Sequence, residues 1–219
     1  MSATNITIPA LDGEGDIPAY VARPDADSSR AIIVIPEIFG VNAGIREKCD
    51  DWAAEGYLAI APDLFWRFAP GVELDPDVEA ELQEAFGYFG QYDADLGVKD
   101  IEAAIRWLHA QGANKVGCVG FCYGGGVCNA LAVAYPDLAA SVPFYGRQPT
   151  AEDVAAIQAP LLIHYAEMDE RINAADTIDA VPENYMLIPT LTQQVHQCDR
   201  QRCPLPWSFR VRSEEHTSE

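Results

Sequence analysis

Basic residues are scarce in this chain. Its 14 lysines and arginines face 34 aspartates and glutamates, a formal net charge of −20 over 219 residues. A field of that sign repels nucleic acid and anionic membrane surfaces and excludes both as partners; an anionic ligand would need a local arginine to hold it. An export signal is missing as well. The N-terminal run Met1-Ser-Ala-Thr-Asn-Ile-Thr-Ile-Pro9 has neither a basic n-region nor an apolar h-region. The expected setting is therefore the cytoplasm, where the six cysteines stay reduced. No membrane span is read. The uncharged stretch between Lys115 and Asp137 is long enough to imitate one, but its five glycines and change of period fit a buried strand, turn and helix. Internal repeats are absent. A metal site is not read either: His196, Cys198 and Cys203 supply three ligand types where zinc sites use four at spacings such as C-x-x-C.

What remains is ordinary for a globular protein, with 49% hydrophobic and 22% charged residues in a length suited to one sizeable core. A monomer is expected. Residues 4–8 and 17–22 read as a hairpin at a sheet edge around Leu11-Asp-Gly-Glu-Gly15. Apolar runs at Arg30–Glu37, Tyr57–Pro62, Lys115–Gly120, Ser141–Gly146 and Pro160–Ala166 read as strands. Helical spacing over Asn42–Glu55 and Asp95–Gln111 alternates with them, closed by Gly56 and Gly112. This β-α-β rhythm predicts a mostly parallel central sheet with helices on both faces. Residues 65–92 interrupt it with Phe65, Trp66, Phe68, Phe86, Tyr88, Phe89 and Tyr92 among many acids, as pocket lining or as packing.

The most informative stretch is Gly120-Phe-Cys-Tyr-Gly124, followed by Gly125 and Gly126 and then by the helical Val127–Tyr135. G-x-C-x-G is the cysteine form of the turn that lifts a nucleophile above an α/β-hydrolase sheet. A strand turning straight into a helix strains its corner residue and brings the residues two before and two after together, so glycine fits at both. The corner thiol then lies at a helix N-terminus, where partial positive charge favours thiolate. The N–H of Tyr123 would point at an oxyanion formed on a carbonyl attacked by Cys122. The competing reading makes Cys122 one more small buried residue, as Cys118 and Cys128 are expected to be.

Six motifs in order resemble the dienelactone hydrolase family of α/β-hydrolases over residues 4–176. They are Ile35-Pro-Glu-Ile-Phe-Gly40, Ala61-Pro-Asp-Leu-Phe65, Arg67 with Pro70-Gly71, Asp100-Ile-Glu-Ala-Ala-Ile105, Gly120-Phe-Cys-Tyr-Gly-Gly125 and His164–Asn173. The resemblance implies Cys122 as nucleophile and Asp169 as the group that orients a catalytic histidine. It implies backbone N–H groups of Ile38 and Tyr123 as an oxyanion hole, and Glu37 as a carboxylate that helps generate the thiolate. Arg67 would hold a substrate carboxylate. The implied reaction opens an enol-lactone such as 4-carboxymethylenebut-2-en-4-olide to maleylacetate, without metal or organic cofactor. Read without the resemblance, Arg67 is a surface ion-pair residue, Asp169 a turn cap and Glu37 a loop acid.

The family's glycine-histidine-phenylalanine motif is missing. His109 ends the helix before the nucleophile strand, about 20 Å away at the opposite end of that strand. His164 lies within a strand, about 16 Å below Asp169, and reads as a sheet histidine. His216 sits in the final tail. His196, 27 residues after Asp169, has the spacing of a base but none of the glycine turn around it. Arg212–Glu219 looks like a translated sequencing-adapter sequence. The expectation is an α/β-hydrolase domain over residues 1–183, with residues 184–219 an atypical, non-native tail and the carboxyl-terminal part of the fold incomplete. Three functional readings follow: an enol-lactone hydrolase, a general carboxylesterase on the same fold, and either a non-catalytic relative that binds a small ligand or a catalytically impaired fragment that lacks the base histidine.

Overall fold

The computed structural model describes residues 1–147, 149–166 and 185–190. Among the described residues, eight strands form one sheet in the order β1-β2-β4-β3-β5-β6-β7-β8. β1 (Ser2–Pro9) and β2 (Asp16–Arg23) make the expected edge hairpin, in register from Ser2 against Arg23 to Pro9 against Asp16. β2 runs antiparallel to β4 (Leu58–Pro62), and every later pairing is parallel. β3 (Arg30–Ile35) and β5 (Lys115–Phe121) occupy the centre, and β6 (Ala140–Phe144) and β7 (Leu161–Ala166) follow. The sheet then goes on beyond residue 183, where the sequence reading ends the domain: β8 (Tyr185–Thr190) pairs with β7 from Leu161 against Tyr185 to Ala166 against Thr190.

The order β4-β3-β5 positions the site. The chain leaves β3 towards one edge through α1 (Ala43–Ala54), then returns across β3 to β5 through α3 (Ala94–Ala110). The carboxyl ends of β3 and β5 therefore flank a topological switch point, the crevice where open α/β sheets bind ligands. Helices cover both faces. Asn42 caps α1 by accepting the Ile45 N–H at 3.2 Å, and Ile45, Cys49 and Ala53 are buried against Val34, Ala59 and Val119. On the opposite face, Ile101, Ile105 and Leu108 of α3 and Val127, Cys128 and Leu131 of α4 (Tyr123–Ala134) pack onto Ile33, Ile60 and Cys118.

Two elements were not legible in advance. The 65–92 interruption contains α2 (Glu79–Phe89), which lacks a side-chain cap at Val78 and fully buries only Ala85, so its amphipathic signal is weak. In β8, Pro189 lies within a short run and argues against a strand when read as sequence. A third difference concerns α4. It begins at Tyr123 and takes Gly124, Gly125 and Gly126 into its first turn, earlier than the apolar periodicity suggests. A short four-residue helix, α5 (Ala151–Val154), opens on a Thr150 capping box.

Candidate active site

Cys122 is the corner between β5 and α4, with φ 53° and ψ −117°. Among the described residues only Cys122 and Tyr145 combine a positive φ with a side chain. The Cys122 N–H donates to the Phe144 carbonyl at 3.0 Å, and its own carbonyl accepts the Gly125 N–H at 3.0 Å. The flanking glycines are required by contact. A Cβ on Gly120 would collide with the Gly124 carbonyl, and one on Gly124 would lie 2.5 Å from the carbonyl oxygens of both Ile35 and Pro36. The first turn of α4 thus rests directly on the end of β3. Cys122 is partly exposed, whereas Cys118 and Cys128 are buried as expected.

Ile35 pairs with Gly120, which sets Glu37 and Cys122 two residues beyond the same register row on neighbouring strands. Ile38 and Phe39 are buried under Ala85 and Leu82 of α2, beside Tyr123. The loop is tied further by Leu74 N–H donating to Phe39 O at 2.9 Å and by the antiparallel bridge of Gly40 to Glu73. Tyr123 opens α4, where the first N–H groups of a helix have no intrahelical acceptor. Its ring meets Phe89 at 5.3 Å and Tyr92 at 4.6 Å, both edge-on. The insertion therefore covers the residue expected to donate to an oxyanion.

Glu37 Oε1 accepts a hydrogen bond from the Tyr145 hydroxyl at 3.0 Å. Burial first, then the Glu37 charge, pushes that hydroxyl's pKa well up, so it stays protonated and donates. Arg67 is committed on both sides. Its Nη2 lies 2.7 Å from Asp100 Oδ1 and 2.8 Å from Asp12 Oδ2, and its Nε donates to Asp100 Oδ2 at 3.3 Å. The guanidinium carbon sits 4.4 Å from the Trp66 ring centroid, and Trp66 Nε1 donates to Asp100 Oδ2 at 2.8 Å. The bonds from Asp100 raise the Arg67 pKa further.

Among the histidines, His109 lies in the last turn of α3, its Nδ1 2.7 Å from Ala113 O just before β5 begins. His164 is a sheet histidine: it pairs with Phe144, and the two rings stack 4.1 Å apart and 3° from parallel. Neither of its ring nitrogens has a hydrogen-bond partner among the described residues, and burial lowers its pKa below 6.5. Asp169, His196 and the Cys198–Cys203 pair lie outside the described residues. Two groups that sequence reasoning left without a role are held here: Tyr145, and Asp63, which is buried and accepts N–H bonds from Phe65 at 2.9 Å and Gly71 at 2.7 Å. For Asp63 the Ala61-Pro-Asp63 motif was the available signal. No helix among the described residues is long and apolar enough to cross a membrane.

A parallel sheet with a sharp, glycine-flanked corner at its switch point defines an α/β-hydrolase. The sequence profile of the Dienelactone hydrolase family matches residues 17–185. The chain is 34% identical over 199 residues to carboxymethylenebutenolidase of Pseudomonas putida, covering 90% of this chain and 83% of that one. It is 33% identical over 177 residues to carboxymethylenebutenolidase 1 of Cupriavidus pinatubonensis, covering 78% and 74%. A Klebsiella pneumoniae structure, named as a presumed dienelactone hydrolase, superposes with a TM-score of 0.71 at 28% identity over 86% of this chain and 84% of that one. The chain belongs to the dienelactone hydrolase family, hydrolases of the ester type.

Proposed function

We propose that this protein opens a small enol-lactone, of the dienelactone-to-maleylacetate type, with Cys122 as nucleophile. The observation that carries the reading is the Cys122 corner itself: φ 53°, α4 starting at the next residue, and Glu37 at the end of the neighbouring strand. The likeness to carboxymethylenebutenolidases supports the substrate class. In the proposed sequence the Cys122 thiolate attacks the lactone carbonyl carbon. The carbonyl electrons move to oxygen, facing the N–H groups of Ile38 and Tyr123. The oxyanion electrons re-form the carbonyl as the ring C–O bond breaks, leaving an acyl-thiol and an enolate that takes a proton from solvent. Water, deprotonated by a histidine that Asp169 orients, attacks the acyl carbon, the C–S bond breaks to release the acid, and the histidine returns the proton to sulfur. His196 is the histidine assigned to that step by spacing.

A second reading, hydrolysis of a neutral ester, has one observation in its favour. Arg67, the residue proposed to hold a substrate carboxylate, already pairs with Asp100 and Asp12. Turnover of 4-carboxymethylenebut-2-en-4-olide and of 4-nitrophenyl acetate separates the two, with Arg67→Ala and Cys122→Ala measured on each. Lactone hydrolysis is expected to dominate, to weaken in Arg67→Ala through KM, and to vanish in Cys122→Ala. Faster turnover of the neutral ester, untouched by Arg67→Ala, favours the esterase. Unchanged turnover in Cys122→Ala rejects both.

A further inference from the structure

The residue after β6 is the second strained corner of this site. Tyr145 has φ 42°, in the left-handed region that a side chain rarely adopts, and such strain persists only where surroundings over-determine it. Here they do. Its N–H donates to the His164 carbonyl at 2.7 Å and its hydroxyl to Glu37 Oε1 at 3.0 Å. Its ring contacts Phe121 and Phe144, with centroids 6.5 Å and 6.4 Å away. The backbone on either side is wedged into the first turn of α4. A Cβ on Gly125 would lie 2.6 Å from Phe144 O, and one on Gly146 would collide with the backbone of Gly125 and Gly126. The nucleophile turn and the Tyr145 turn therefore hold one another, and Phe144 O takes the Cys122 N–H between them.

That arrangement brings a phenol from the residue after β6 to a carboxylate two residues beyond β3, 108 residues apart, across the end of β5, which leads into Cys122. We propose that Tyr145 is a positioning residue: its hydroxyl fixes one oxygen of Glu37, so that Glu37 meets the Cys122 thiol in one orientation. The inference rests on the reading of Cys122 as nucleophile and Glu37 as its carboxylate. Cys122 is tied to the same turn, its N–H donating at 3.0 Å to the carbonyl of Phe144, the residue before Tyr145. Tyr145→Phe removes the donor and keeps the ring and its packing. The freed carboxylate is then no longer held towards the thiol and helps less to generate the thiolate.

The test is the rate of iodoacetamide alkylation at Cys122 in the full chain between pH 5 and 9, located by tandem mass spectrometry, with circular dichroism confirming the fold of each variant. Tyr145→Phe is expected to slow alkylation at pH 7 by about three- to tenfold, by moving the profile to higher pH. In a Glu37→Gln background the same substitution is expected to change nothing, because the group it acts through is gone. An equal slowing in both backgrounds, or none in either, overturns the role of Tyr145 even if Glu37→Gln alone shifts the profile. If the Cys122 thiol resists alkylation in the wild-type chain throughout the range, the nucleophile reading fails instead.

Discussion

Gly124 and Ile35 meet backbone to backbone: a Cβ on the glycine would sit 2.5 Å from the Ile35 carbonyl oxygen. A second carbonyl oxygen, that of Pro36, stands at the same distance, so an added Cβ would clash with two backbone atoms at once. Gly124→Ala is expected to cost about 3 kcal/mol by forcing the α4 turn off the end of β3, read as the loss of stability in urea denaturation. Gly13→Ala is the comparison. Gly13 has φ +78° and open space around it, so the strain of a left-handed residue, about 1 kcal/mol, is the whole cost. Equal losses at the two sites would show that close approach is not what constrains the turn.

These contacts explain how unevenly the molecule could be read in advance. The Cys122 corner was legible because its constraint is local: glycines two before and two after a strained residue leave a mark within five positions. The parallel sheet was legible because each strand is an apolar run closed by a turn. Tyr145 was not, since the hydroxyl's partner is 108 residues away and nothing near Tyr145 announces it. Arg67 was legible as a cation in an acidic loop but not as a partner of Asp100 and Asp12, because that pairing depends on how the insertion lies against α3 and the hairpin. α2 escaped because its apolar residues are largely exposed, Phe86 and Phe89 among them.

Phe89 provides a test of what that insertion does. The residue is 44% exposed, and its ring lies 5.3 Å from that of Tyr123, whose backbone N–H is assigned to the oxyanion hole. A side chain that half-open contributes little to folding, so Phe89→Ala is expected to lower stability by about 1 kcal/mol or less. If α2 borders the substrate crevice, the KM for an aryl ester rises several-fold while kcat changes little, as befits lost uniform binding. Unchanged KM with the same small stability loss would make the ring surface packing only.

His164 ties stability to pH. Burial lowers its pKa below the ordinary 6.5, so the folded chain binds fewer protons than the unfolded chain as pH falls through that value. The stabilisation is fully present above pH 6.5 and is lost progressively on acidification. The melting temperature is accordingly expected to fall between pH 7 and pH 5. His164→Phe keeps a flat ring against Phe144 and removes the titrating group, so the fall should become shallower. An identical pH dependence in the variant would assign the loss to other groups.

The Arg67 cluster separates structural from substrate roles by magnitude. Asp100 is 2% exposed and has its oxygens engaged by Arg67 and the Trp66 indole N–H. Removing the guanidinium leaves that carboxylate buried with the indole alone, and breaking one side of such a pair costs about 3 kcal/mol. Asp12 contributes from the exposed side, where an ion pair adds little, so Asp12→Asn should be nearly silent. Arg67→Lys is the decisive variant. Lysine keeps the charge but cannot reproduce the two-nitrogen grip on Asp100, and should lose about half of what alanine loses. Urea denaturation of the three variants reads this order directly. A stability unaffected by Arg67→Ala would mean that Asp100 does not need the guanidinium.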